Sequence, residues 1–267
     1  MGTAAEIDVL LALATRLARE AGALQRSRYE TELAIDTKSQ PVDLVTEVDR
    51  ACEAHLVAAL AHERPADAVL AEEGGGHDRA GAIWRWVIDP LDGTTNYAHG
   101  YPRFAVSIGV EREGEPALGV VYDPLLDELY HAVAGGGAFR NGRAIHVSRE
   151  AALERALLAT GFAYDKAVND DDNVAEFRAA LKGAREVRRD GSAALDLCYV
   201  AAGRFDGYWE FRLAAWDVAA GGLIVREAGG RVSDAAGGPG WRGGRQVVAT
   251  NGRVHGALLE LLARARR

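Results

Sequence analysis

The chain has 267 residues, 48% of them hydrophobic and 26% charged, with a formal net charge of -8. This is an ordinary globular composition, long enough for one large domain or two halves. The acidic balance argues against tracking a nucleic-acid backbone by bulk electrostatics, and no apolar run reaches the length of a membrane span. Cys52 and Cys198 lie in apolar stretches far apart, which reads as buried thiols in a reducing compartment, and no Cys/His cluster suggests zinc. No signal peptide is visible, so the expectation is a cytoplasmic protein without membrane or nucleic-acid partners.

In chain order, residues 4–30 carry Ile7, Leu10, Leu11, Leu17 and Leu24 at helical spacing. Thr46 followed by Asp49 predicts a helix start of the capping-box kind, with the helix running to about His62. Residues 68–71 form a short apolar strand that ends in Glu72-Glu73-Gly74-Gly75-Gly76, a glycine-rich loop expected to be mobile when no metal is bound. Residues 82–89 predict a strand ending in an acid, and 104–147 a β stretch with a hairpin turn at Asn141-Gly142. Strand and helix then alternate. The predicted strands are 156–160, 186–190, 205–211, 231–234 and 246–250. The predicted helices are 167–182, 192–203, 216–228 and a last one from about 253. The run Asp170-Asp171-Asp172 reads as a solvated loop and helix start. The pattern predicts one layered α/β or α+β domain, in halves of about 1–148 and 149–267. No Walker or dinucleotide-binding glycine loop is present.

Four acids stand at predicted strand ends or helix starts: Glu72, Asp89, Asp92 and Asp217. Converging without a cation, they would repel and some would take up protons. Hard Mg²⁺ prefers such oxygen-only ligation and also binds substrate phosphate, so cations would supply the positive charge this acidic protein lacks. In the loop Asp89-Pro90-Leu91-Asp92-Gly93-Thr94-Thr95-Asn96, proline and glycine set tight bends. Gly93, Thr94 and Thr95 lead into a possible helix start whose free amides would face an anion. Taken alone, each piece has a plain structural reading: a turn for Asp-Gly-Thr, a helix cap for Asp217, a dipole complement for Asp49.

The segments DPLDGTTNYAHGYP at 89–102 and AAWDVAAGGLIVREAGG at 214–230 together resemble the inositol monophosphatase family. So do K-S-x-P-V-D-L-V-T-x-x-D at 38–49, Glu72-Glu73-Gly74 and G-S-A-A-L-D-L at 191–197. The resemblance spans roughly residues 5 to 260. It implies an αβαβα sandwich of the inositol monophosphatase and fructose-1,6-bisphosphatase type, and lithium-sensitive hydrolysis of phosphate monoesters with two or three Mg²⁺. By position, it implies metal ligation by Glu72, Asp89, the Leu91 carbonyl, Asp92 and Asp217. Thr94 and Asp49 match residues that orient the attacking water, with Glu72 as the base, and Lys38 matches a lysine near the metals. Gly93 and Thr94 match the phosphate-binding amides. Gly191, Ser192, Ala193 and Glu210 match contacts to the sugar ring, alongside Asp92 and Asp217. A homodimer is implied as well.

The resemblance leaves the substrate open: inositol 1-phosphate or a similar small polyol or sugar phosphate, or else fructose 1,6-bisphosphate, histidinol phosphate or a 3′-phosphoadenosine nucleotide. Arg212, where many members have a small residue, would close the pocket, hold a second anion or point to solvent. A third reading is an accessory factor in transcription or RNA processing, a role some bacterial relatives have.

Overall fold

The computed structural model describes residues 4–38 and 40–266; Ser39, part of the motif that starts at Lys38, lies outside them. The chain runs α1 (Ala4–Arg28), β1 (Ile35–Thr37), β2 (Leu44–Thr46), α2 (Glu47–Glu63), β3 (Ala68–Ala71), β4 (Trp84–Asp92) and α3 (Thr94–Ala98). Five strands follow: β5 (Ala105–Arg112), β6 (Glu115–Asp123), β7 (Glu128–Val133), β8 (Gly137–Arg140) and β9 (Arg143–Ala144). The rest is β10 (Leu157–Thr160), α4 (Val174–Gly183), β11 (Glu186–Arg188), α5 (Ala193–Ala201), β12 (Gly207–Phe211), α6 (Ala215–Glu227), β13 (Arg231–Ser233), β14 (Gln246–Thr250) and α7 (His255–Ala265).

Strands β3 to β9 form a seven-stranded sheet in sequence order, with β3 and β4 parallel and the others antiparallel. The period of two decides which side chains go to which face. Trp86, Ile88, Val106 and Ile108 pack under α1 and α2 with Leu10, Leu17 and Leu56. Val121 and Tyr130 pack on the other face, against Leu195, Leu197 and Leu223 of α5 and α6. The same two helices also cover Tyr208, Val247 and Ala249 of a second, five-stranded sheet, order β11-β10-β12-β14-β13. Its far face buries Leu158, Trp209 and Val248 against Ala180 of α4 and Leu258 and Leu262 of α7. Each such fully buried aliphatic side chain contributes roughly 1.5–3 kcal/mol. The layers are therefore α, β, α, β, α, as expected.

Three predicted elements differ from what is found. The β1–β2 hairpin was not foreseen: each strand has three residues, too few for a periodic signal, yet it carries Lys38 at its turn. Strand β4 runs through Pro90 to Asp92 rather than ending at Asp89. The helix expected over 167–182 starts only at Val174, because Asn173 is a buried junction in the left-handed region at φ 68°. Its carboxamide donates to Thr160 Oγ1 (2.9 Å) and the Gly161 carbonyl (2.7 Å), and its Oδ1 accepts from Trp209 Nε1 (2.7 Å). Asp171 and Asp172 pair with Arg266 and the Val174 amide, a loop and helix start.

Candidate active site

The register of β4 against β5 explains how two acids three residues apart come to one place. Asp89 pairs with Ser107 and Asp92 with Ala105, so β4 has one residue more than its partner over this span. Without a bulge, an odd spacing would send Asp89 and Asp92 to opposite faces; the extra residue at Pro90-Leu91 re-aims the second one. Gly93 then turns the chain at φ 96°, and a Cβ there would lie 2.7 Å from the Arg103 carbonyl oxygen. The α3 turn follows at once, with Gly93, Thr94 and Thr95 lining the pocket.

Asp89, Asp92 and Asp217 meet there, each offering one carboxylate oxygen, all within 4.8 Å of one another. Each of the three carboxylates is also held by a backbone amide. Asp89 Oδ1 accepts from the Leu91 amide (2.9 Å), and Asp217 Oδ2 from the Ala214 amide (2.6 Å). Asp92 Oδ2 accepts from the Ala194 amide (2.7 Å) and the Ser192 hydroxyl (2.6 Å). Burial pushes all three above the usual carboxylate range. The charges of neighbouring acids add to this at Asp89 and Asp217, while the Ser192 hydroxyl and the α5 amides pull Asp92 back. The charge of nearby Glu72 is one of the causes that hold Asp89 up. An all-carboxylate donor set that repels itself in this way fits hard divalent cations, which would supply the missing positive charge.

Glu72 lines the pocket and Glu73 does not, so the strand-end acid that faces the site is Glu72. Lys38 reaches both: its ammonium is 2.7 Å from Glu72 Oε1 and also pairs with Glu73. Burial lowers a lysine, but these two acids outweigh it and hold Lys38 above its ordinary value.

Asp49 does not line the pocket; it acts on it through Thr94. Its Oδ2 accepts from the Thr46 amide (2.9 Å) and completes the capping box of α2, while its Oδ1 accepts from Thr94 Oγ1 at 2.7 Å. The helix cap and the link to the site are thus the two ends of one carboxylate. Thr94 Oγ1 is also 3.1 Å from the Leu91 carbonyl, but it has one proton, and the charged, closer acceptor takes it. Burial raises Asp49 too, against the hydrogen bonds from Thr46 and Thr94 that lower it.

The same pocket, about 310 Å³ in volume, is also lined by Gly191, Ala193, Glu210 and Arg212. Ser192 is buried with its hydroxyl turned to Asp92, so it supports an acid instead of facing the cavity. Glu210 accepts from the Tyr208 hydroxyl at 2.7 Å, and burial pushes its carboxyl up to about 7 against that bond. Arg212 sits in the left-handed region at φ 64° and pairs through both Nη2 (2.5 Å) and Nε (3.1 Å) with Asp165. It therefore lines the pocket with its guanidinium paired to Asp165, while the residue keeps an exposed face.

Sequence reading missed Phe162, Ala163, Tyr164 and Arg189, which also line the pocket. The first three lie in a loop with no periodicity, and only their place after a strand end, beside Gly161, hinted at them. Arg189 precedes the Gly191-Ser192-Ala193 motif by two residues and was within reach of the same argument.

A sequence profile described as the inositol monophosphatase family matches residues 6–267. The inositol-1-monophosphatase of Synechocystis sp. is 44% identical over 97% of this chain and 90% of its own length. The Nus factor SuhB of Pseudomonas aeruginosa is 46% identical over 94% of each. Among solved structures, the inositol monophosphatase of Anabaena (Nostoc) sp. PCC 7120 superposes with a TM-score of 0.87 at 42% identity, covering 97% of both chains. The extragenic suppressor protein suhB of Bartonella henselae gives a TM-score of 0.89 at 38% identity, covering 95% of this chain and 98% of that one. With the layered fold, the acidic cluster and a match over nearly its whole length, this chain belongs to the inositol monophosphatase family.

Proposed function

We propose that the protein is a Mg²⁺-dependent phosphomonoesterase acting on inositol 1-phosphate or a similar small polyol phosphate. The observation that carries this reading is the meeting of three carboxylates, from buried Asp89 and Asp92 and half-buried Asp217, in a pocket that Gly93, Thr94 and Thr95 also line. Glu72, Asp89, the Leu91 carbonyl, Asp92 and Asp217 would hold two or three Mg²⁺. When bound, these ions would supply positive charge to the phosphate oxygens and acidity to a nearby water. The chain's own groups do the rest. Thr94 donates its proton to Asp49, which leaves its oxygen lone pairs to accept a hydrogen bond from the attacking water and orient it. Glu72, raised by burial, is the carboxylate that takes the water's proton. The amides at Gly93 and Thr94 receive the phosphate. Glu210 accepts from ring hydroxyls, with the backbone of Gly191 and Ala193 against the ring.

The pairing of Arg212 with Asp165 favours a monoester of an uncharged polyol over a doubly anionic substrate. A panel of inositol 1-phosphate, fructose 1,6-bisphosphate, histidinol phosphate and 3′-phosphoadenosine 5′-phosphate, each with Mg²⁺, tests this. Inositol 1-phosphate should turn over fastest; a much slower rate than for another member sinks the substrate assignment. Lithium inhibition in the same assay and a homodimer by light scattering belong to this reading.

The name Nus factor, carried by the Pseudomonas relative, favours a second reading as an accessory factor. The net charge of -8 argues against direct backbone binding to RNA by bulk electrostatics. A pull-down with the Asp217→Asn protein separates the two, because an accessory role would survive the loss of catalysis.

A further inference from the structure

The loop that carries Glu72 is glycine-rich, which predicts mobility, yet it is fastened on two sides. Glu53, on α2 and only 4% exposed, accepts from the Glu73 amide through Oε2 and from the Gly75 amide through Oε1, both at 2.6 Å. On the other side, Val69 of β3 and His77 exchange backbone hydrogen bonds of 2.9 and 2.8 Å. Gly74 takes a left-handed φ of 89°, while Gly75 and Gly76 are needed for space. A Cβ on Gly75 would lie 2.7 Å from Glu53 Oε1, and one on Gly76 2.5 Å from the Val69 carbonyl oxygen. Glu53 also stands four residues after Asp49, one helical turn along the same face of α2. One helix thus holds Thr94 through Asp49 and the Glu72 loop through Glu53.

From this geometry we infer that Glu53 is a positioning residue for Glu72. By binding the amides that follow Glu72, it sets where that carboxylate stands against Asp89 before any cation arrives. A carboxylate accepting two amide hydrogen bonds is a strong, charge-assisted clamp, and it lets a loop of small residues keep one geometry. The inference rests on the proposed cation role of Glu72 and adds a residue that never touches the ion. Groups bonded directly to a ligating side chain change metal affinity by about 10–100-fold when removed; Glu53 acts one step further out, through the backbone that follows Glu72, so the lower part of that range is expected.

The test uses the whole protein with Glu53→Gln, Glu53→Ala and Gly75→Ala. The last keeps Glu53 but drives a methyl into its carboxylate, so it perturbs the same clamp from the other side. Mg²⁺ affinity is measured by calorimetric titration without substrate, amide exchange is followed at Glu73 and Gly75, and kcat is measured at saturating Mg²⁺. The expected result is faster exchange at both amides and Mg²⁺ binding weakened by about tenfold or more in Glu53→Ala, less in Glu53→Gln. The kcat at saturation should stay within about threefold, because the ion, once bound, restores the ligand's place. Gly75→Ala should follow the same pattern, and it decides the matter with Glu53→Gln if Glu53→Ala does not fold. Accelerated exchange with unchanged Mg²⁺ affinity would overturn the inference and leave Glu53 a structural clamp. A wild-type protein that takes up no Mg²⁺ would instead remove the cation reading itself, an outcome visible before any variant is compared.

Discussion

At the acidic end of the pocket, Asp89, Asp92 and Asp217 converge, and each has an oxygen held by a backbone amide. On the side that the proposed function gives to the polyol, Glu210 and Arg212 are held by other side chains, Tyr208 and Asp165. Backbone amides belong to strands and helices and move only with the fold. Side-chain partners change with single substitutions. The difference teaches where this fold keeps its chemistry fixed and where it permits the substrate to vary: the reacting end is built into the bulge of β4 and the starts of α5 and α6, the recognising end is hung on pairs.

The acidic end should break hardest. Asp217→Asn leaves an amide where a charged oxygen faced two others, and kcat/KM for inositol 1-phosphate should fall by about 10³-fold or more, roughly 4 kcal/mol. A rate unchanged at saturating Mg²⁺ would refute the role given to Asp217. Asp49→Asn and Thr94→Ala should each cost about 100-fold in kcat with little change in KM, because they orient a water rather than hold the substrate. The double variant should be no worse than about the poorer single one, since the two residues act as one unit. Full additivity would mean that they act separately.

The polyol end should respond to pH. With its carboxyl pushed up to about 7 by burial, Glu210 is protonated at about pH 6 and ionised at about pH 8. A charged acceptor binds hydroxyls about 1 kcal/mol better than a neutral one, so substrate affinity should improve roughly threefold over that interval in the wild type. Glu210→Gln should lose this part of the profile and keep only the part that comes from the phosphate's own ionisation. Stability carries the opposite sign. A carboxyl raised from 4.5 to about 7 by folding favours the native state below 4.5 and loses that contribution as pH rises through 7. Metal-free Glu210→Gln should therefore melt higher than wild type at about pH 8 and no higher at about pH 4, which thermal scans at both values measure.

Much of this was legible because the signals were local. Helical spacing in α1, the apolar runs of β4 to β7 and the capping box at Thr46 are each written within a few residues. The convergence of acids was legible from their places at strand ends and from the family motifs. What could not be read were features that depend on contacts between distant segments. The bulge at Pro90-Leu91 exists only against β5, and the Glu53 clamp joins residues 20 and 22 positions apart. The late start of α4 depends on Asn173 meeting Trp209, 36 residues on. Glycines beside Glu72 suggested freedom because a sequence does not show what fills the space around them; here Glu53 and β3 fill it.

The smallest expected effect is at Arg212, and it separates a latch from a binding group. At φ 64° a residue with a Cβ is strained by about 1 kcal/mol. Arg212→Gly relieves that strain and loses a half-exposed ion pair of about 0–1 kcal/mol. The two nearly cancel, so the melting temperature should move by less than about 4 °C. If the guanidinium only ties Asp165, and with it the Phe162–Tyr164 wall, across the pocket mouth, both substrates should feel its loss alike. The ratio of kcat/KM for fructose 1,6-bisphosphate to that for inositol 1-phosphate should then change by less than about threefold, below 0.7 kcal/mol. If Arg212 leaves Asp165 to meet a second phosphate, the variant should lose tenfold or more on the bisphosphate alone, because a charge-assisted contact of about 1.5–3 kcal/mol disappears from that substrate only. That outcome would move Arg212 from the wall of the pocket into the substrate's own contacts, and would make a doubly anionic ester the better candidate substrate for the proposed hydrolysis.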